Sequence, residues 1–133
     1  ANAAWVDRRF WDESVAEKPQ DKPESTFIAF DLAHSRDLNA VCTLHRYGEE
    51  DFFSKFKFFL PEESLSFIPN HYRSIYMQAV ESGILKLTQG NVTDMNEIEQ
   101  YINNECSFLF NPVLLQQQKL KVKNRLYPHT SVW

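Results

Sequence analysis

The chain holds three glycines in 133 residues, Gly48, Gly83 and Gly90, and none of them precedes Lys-Ser or Lys-Thr. A P-loop needs glycines so that backbone amides can approach phosphates, so ATP hydrolysis by that route is excluded. Cysteine is nearly as scarce: Cys42 and Cys106 lie far apart, with no CxxC or Cys/His spacing. Both fall in apolar, strand-like contexts, which predicts buried free thiols rather than a disulfide and points to a cytoplasmic setting. Long hydrophobic runs are missing, so no segment is expected to span a membrane. The N-terminal stretch also lacks the basic-then-apolar order of a secretory signal. Acid is missing from one end, because no Asp or Glu follows Glu105. Eighteen acids still outweigh fourteen Lys and Arg, and a net charge of −4 argues against an autonomous nucleic-acid-binding domain. Lys119, Lys121, Lys123 and Arg125 in the acid-free end admit two readings. They form a stripe facing nucleic-acid phosphates, or an alternating edge strand whose lysines stay in water.

What is present is a soluble, aromatic-rich chain. Hydrophobic residues make up 43% and charged ones 24%, with eleven Phe to supply bulky core material, enough for one domain and not two. Residues 1–25 read as a leader. Trp5, Phe10, Trp11 and Val15 suit a short helical stripe with Asp7 as N-cap. Pro19 and Pro23 then break regular structure, and the tryptophans are expected to dock on the body or on a neighbouring domain. Residues 26–133 read as the domain itself.

Three strands open it: Thr26–Ala33, Asn39–Tyr47 and Asp51–Leu60, forming an antiparallel meander. On the third, Phe52, Phe56 and Phe58 share one face and Phe53 takes the other. Pro61-Glu62-Glu63 is a helix start with acids in the first turn. Tyr72, Ile75, Tyr76, Ala79 and Val80 fall at amphipathic spacing, and Gly83 sits where a C-terminal cap is expected. A strand follows at 84–88, then a helix opening at Thr93 or Asp94 with Met95, Ile98, Tyr101 and Ile102 on one face. A buried strand is expected at 107–111, and a helix starts within 113–118. The fold class is therefore α/β, a mixed sheet flanked by helices.

The most informative residue is Asp31. It interrupts an apolar strand with a carboxylate, and burial of an unpaired charge is costly. A cation, a hydrogen-bond donor or an open cleft is expected beside it. The His34-Ser35-Arg36-Asp37 turn could supply the donors. Asp37 reads as an Asx turn starting the next strand or as a second metal ligand. Asp94 reads as a helix N-terminus, and His34 as a solvated turn residue or as a group reaching a metal or a scissile phosphate.

Three phrases resemble, in order and spacing, the C-terminal nuclease domain of the tailed-phage terminase large subunit, which has a ribonuclease H-like fold. They are Phe27 to Ala40, Phe58-Phe-Leu-Pro-Glu-Glu63, and Ser82 to Asp94 followed by a helix. The resemblance implies endonucleolytic cleavage of concatemeric double-stranded DNA, with portal protein and the small terminase subunit as further partners. It also implies a pair of Mg²⁺ or Mn²⁺ ions held by carboxylates. The resemblance maps the first of three acids onto Asp31. The second falls at Asn111, where an amide stands in place of a carboxylate, and the third has no acid to fall on. An amide offers a carbonyl oxygen without charge, so divalent-ion binding is expected to be weak and catalysis impaired. A domain incomplete at its C-terminus, or degenerate, is the expectation. The runner-up is a non-catalytic module that docks other packaging proteins through aromatic surface.

Overall fold

The computed structural model describes residues 6–33 and 35–106. The element order is α1 (Arg8–Glu13), β1 (Ser25–Asp31), β2 (Asn39–Arg46), β3 (Phe52–Pro61), a 3-10 helix (Glu62–Phe67), α2 (Asn70–Glu81), β4 (Leu85–Thr88) and α3 (Met95–Cys106). The strands make one mixed sheet in the order β1-β2-β3-β4, antiparallel through the meander and parallel between β3 and β4. Parallel neighbours need a crossover, which the 3-10 helix and α2 provide. The expected α/β architecture of a meander followed by alternating helices and strands is observed through α3. The strand expected at 107–111 and the helix at 113–118 lie outside the described residues.

Alternation along the strands divides the sheet into two faces. Val41 of β2 and Phe59 of β3 are 0% and 1% exposed, and they pack with Ile98, Ile102 and Cys106 of α3. Ile28 and Phe30 join from β1, and Tyr101 meets Phe59 edge-on at 5.8 Å between ring centroids. Two ion pairs fasten the same helix to the sheet, Lys55 to Glu105 at 2.7 Å and Lys86 to Glu97. The periodicity at Met95, Ile98, Tyr101 and Ile102 is thus the core-facing stripe of α3, whose first turn is tied by the Asn96 amide donating to the Asp94 carboxylate at 2.9 Å.

The opposite face is only partly covered. Phe58 and Leu85 meet Ile75, Tyr76 and Ala79 of α2 around a small apolar recess. Ile75 and Tyr72 are nevertheless exposed, so the amphipathic stripe of α2 is not fully seated. Away from α2, Phe52, Phe56 and Phe27 are all at least half exposed. Phe56 and Phe58 stack at 6.2 Å, and β1, expected to be buried, shows Phe27, Ala29 and Asp31 to solvent on this side. The physical reason is that α3 covers one face of β1 and no described element covers the other.

Gly83 and Gly90 take positive φ, 78° and 89°, the first just after α2 as expected of a C-terminal cap. In the leader, Asp7 caps α1 by accepting from the Arg9 amide at 2.9 Å. Among the described residues the helix buries no side chain, however: Phe10 and Trp11 are 67% and 64% exposed, so Trp11 does not dock on the described body, and Trp5 lies outside the described residues. Six residues are too few to hold a helix by packing a stripe when no surface lies opposite.

Residues 18–23 of the leader do return to the sheet, lining a cavity with His45, Lys55 and Glu105. His45 is 2% exposed, and its Nδ1 lies 2.7 Å from the Thr26 hydroxyl. Burial, reinforced by Lys18 and Lys55 against the weaker pull of Glu105, pushes the imidazole below its ordinary pKa of 6.5. The unfolded chain therefore binds this proton more readily than the folded one, and stability must fall as pH drops from above 6.5 toward the lower folded value. Melting followed by circular dichroism at pH 7.5, 6.5 and 5.5 is expected to show that decline. His45→Gln should flatten it.

Candidate functional site

The candidate site lies at the rim of the sheet where β1 ends and β2 begins. Asp31 is the last residue of β1, opposite Ala40, rather than the middle of a strand. Its side chain is on the face away from α3 and is exposed. Among the described residues it has neither hydrogen-bond nor ion-pair partner, so the Ser35-Arg36 turn does not satisfy it. Of the three solutions open to a carboxylate on this strand, the observed one is solvent.

Asp37 is also exposed, and the turn it occupies is organised from elsewhere. Asn39, 0% exposed, accepts from the Ala33 amide at 2.8 Å through Oδ1. Its Nδ2 donates to the Asp37 carbonyl at 3.2 Å and to the Thr93 hydroxyl at 2.7 Å. One buried amide thus spans the β1–β2 connection and ties it to the segment before α3. The expected Asx turn at Asp37 is replaced by this bond to its backbone, with Asn39 as the side chain that shapes the turn. Sequence reading placed Asn39 only as the polar start of a strand; nothing local distinguishes a buried clamp from a solvated strand end.

A cavity of about 450 Å³ adjoins this turn, between Arg36 and Asp37 on one side and Ser64, Phe67, Tyr72 and Tyr76 on the other. The Arg36 guanidinium lies 4.4 Å from the centre of the Phe67 ring. Ser64 is 4% exposed, and its hydroxyl has no hydrogen-bond partner among the described residues. In the sequence Tyr72 and Tyr76 mark only an amphipathic stripe, and Ser64 and Phe67 do not stand out, because the cavity is made by bringing the β1–β2 turn to the 3-10 helix and α2 across the sheet.

The other site residues separate. Asn111, Lys119, Lys121, Lys123 and His34 lie outside the described residues. Asp94 caps the start of α3, as expected. Cys42 and Cys106 are free thiols, half-buried and buried, and burial pushes both above the ordinary thiol pKa, with Glu105 adding to the effect at Cys106. Neither is suited to nucleophilic work. Among the described residues, no group of three or more His, Cys, Asp and Glu is placed to hold a metal ion. The described residues therefore do not fit a resident pair of divalent cations; at the rim they offer only the exposed carboxylates of Asp31 and Asp37. No helix among them is long and apolar enough to cross a membrane.

No family model matches the sequence, and no curated protein matches it. The crystal structure of the HK97 bacteriophage large terminase does match in three dimensions. Its TM-score is 0.64 at 22% identity, covering 77% of this chain and 21% of that chain. This chain accordingly spans about a fifth of the length of that terminase, and over the shared part it has the same mixed-sheet α/β fold.

Proposed function

We propose that this chain is the nuclease-fold part of a phage DNA-packaging terminase large subunit, with its metal-dependent cleavage of concatemeric DNA impaired. The observation that carries the reading is Asp31, an exposed carboxylate ending β1 in a fold shared with a large terminase. Double-stranded DNA is the substrate on this reading, and portal protein and the small terminase subunit are the partners. Mg²⁺ or Mn²⁺ is the cofactor it implies, with Asp31 as the main ligand and Asp37 as a secondary one. The impairment follows from charge: a hard dication gives up strongly held water only where several oxygens, most of them anionic, replace it.

Calorimetric titration with Mn²⁺ tests the ligand. Wild type is expected to bind weakly, with dissociation constants on the order of 10⁻³ M as for sites poor in anionic ligands. Asp31→Asn should abolish the signal, whereas an unchanged isotherm would remove Asp31 from the assignment. Nicking of supercoiled plasmid in Mn²⁺ tests the chemistry. Slow nicking by wild type that vanishes in Asp31→Ala supports residual catalysis, and nicking that survives the substitution overturns the assignment.

A second reading, a non-catalytic docking module, is favoured by the exposed aromatic side chains on the sheet face away from α3. Phe27, Phe52 and Phe56 are 57%, 54% and 50% exposed. Co-purification with a portal protein, lost on replacing Phe27 and Phe56 by Ser, would support it.

A further inference from the structure

We propose that the cavity between the β1–β2 turn and α2 binds an unstacked nucleobase of the DNA. The inference rests on the DNA-directed reading above and extends it to how a strand is held at the β1–β2 turn.

The walls supply what a base needs. Bases carry a π face that stacks on aromatic rings and an edge that presents donors and acceptors together. Tyr72 and Tyr76, one turn apart on α2, line the cavity, and Tyr72 is 51% exposed, so its ring is accessible to an incoming ligand. Phe67 is already engaged by the Arg36 guanidinium at 4.4 Å, which holds that side chain at the wall rather than free in solvent. Arg36 offers N–H donors and Asp37 offers carboxylate acceptors from adjacent positions in the turn, a pairing that suits a base edge. A bare phosphate would be repelled by Asp37, and a purely apolar ligand would leave both charges without partners.

Ser64 is among the lining residues but is only 4% exposed, and its hydroxyl oxygen is shut off from solvent. The volume of about 450 Å³ lies within the range typical of small-ligand pockets, roughly 300–1,000 Å³. The turn that carries Arg36 and Asp37 is fixed by Asn39, so the edge-reading pair is placed before any ligand arrives.

The test is saturation-transfer NMR on the full chain with guanosine 5′-monophosphate, in EDTA so that no divalent ion takes part. Saturation is expected to be strongest at the base H8 proton and weaker along the ribose. Tyr72→Ala and Asp37→Asn, both at exposed positions, should each weaken binding at least fivefold. Ribose 5-phosphate should compete poorly. Absence of saturation at H8, an affinity unchanged by both substitutions, or full competition by ribose 5-phosphate at equal concentration would each overturn the proposal. A chain that binds the nucleotide but never nicks plasmid keeps this inference and loses the nuclease reading. One that nicks plasmid but shows no H8 saturation does the reverse.

Discussion

Phe59→Ala is expected to cost about 3–5 kcal/mol of folding stability, the range found when a fully buried phenylalanine is truncated. Phe59 is 1% exposed and touches the cluster that joins the sheet to α3, including Val41, Ile98 and Ile102. Its removal takes away the ring that Tyr101 meets edge-on at 5.8 Å and leaves a cavity that rigid neighbours cannot close. A single domain commonly has only about 5–15 kcal/mol to lose, so the variant should sit near the edge of folding at 37 °C. Urea unfolding provides the measurement, with the midpoint falling and the slope retained. Phe56→Ala in the same strand is the control. At 50% exposure on the opposite face it should cost less than about 1 kcal/mol. Equal losses from the two substitutions would mean that α3 does not cover the face assigned to it.

That contrast shows what could be read from the residues and what could not. Alternation along β3 separates Phe53 from Phe52, Phe56 and Phe58, and the separation holds in the structure. Which set is buried depends on which helix packs where, and here the inner residue is Phe59, on the side of Phe53. Both α2 and α3 carry an amphipathic period in the sequence, the stronger one on α3. Ile98 and Ile102 are 0% exposed, whereas Ile75 is 59% exposed. Periodicity identifies a stripe; only tertiary placement decides whether something lies opposite it. Asp31 was legible as an oddity because a carboxylate in an apolar strand is rare, but its exposure follows from the uncovered outer face of β1. The cavity at the β1–β2 turn was not legible, since its walls come from residues 36–37 and 64–76, joined only by the fold.

Asn39→Ala is the second large effect, expected at about 2–4 kcal/mol, and it couples stability to the site. The amide accepts from Ala33 N–H and donates to the Asp37 carbonyl and the Thr93 hydroxyl, all from a position with no solvent access. Alanine would strand those three groups, and part of the loss is the desolvation of partners that water cannot easily reach. Asn39→Asp separates the donor role from mere volume. It keeps an acceptor for Ala33 but turns the donor end into an oxygen facing the Asp37 carbonyl. Buried there, the new carboxyl should have a folded pKa raised above the ordinary carboxylate value. The unfolded chain then releases this proton more readily, so the variant's stability should fall as pH rises through and beyond the unfolded value. Chemical denaturation at pH 4.5 and pH 7.5 reads that slope against wild type. The same variants should lose nucleotide binding under conditions where they remain folded, because Arg36 and Asp37 keep their side chains but lose the clamp that places them. Folded Asn39→Asp protein that binds guanosine 5′-monophosphate as wild type does would show that the turn holds its shape without the amide.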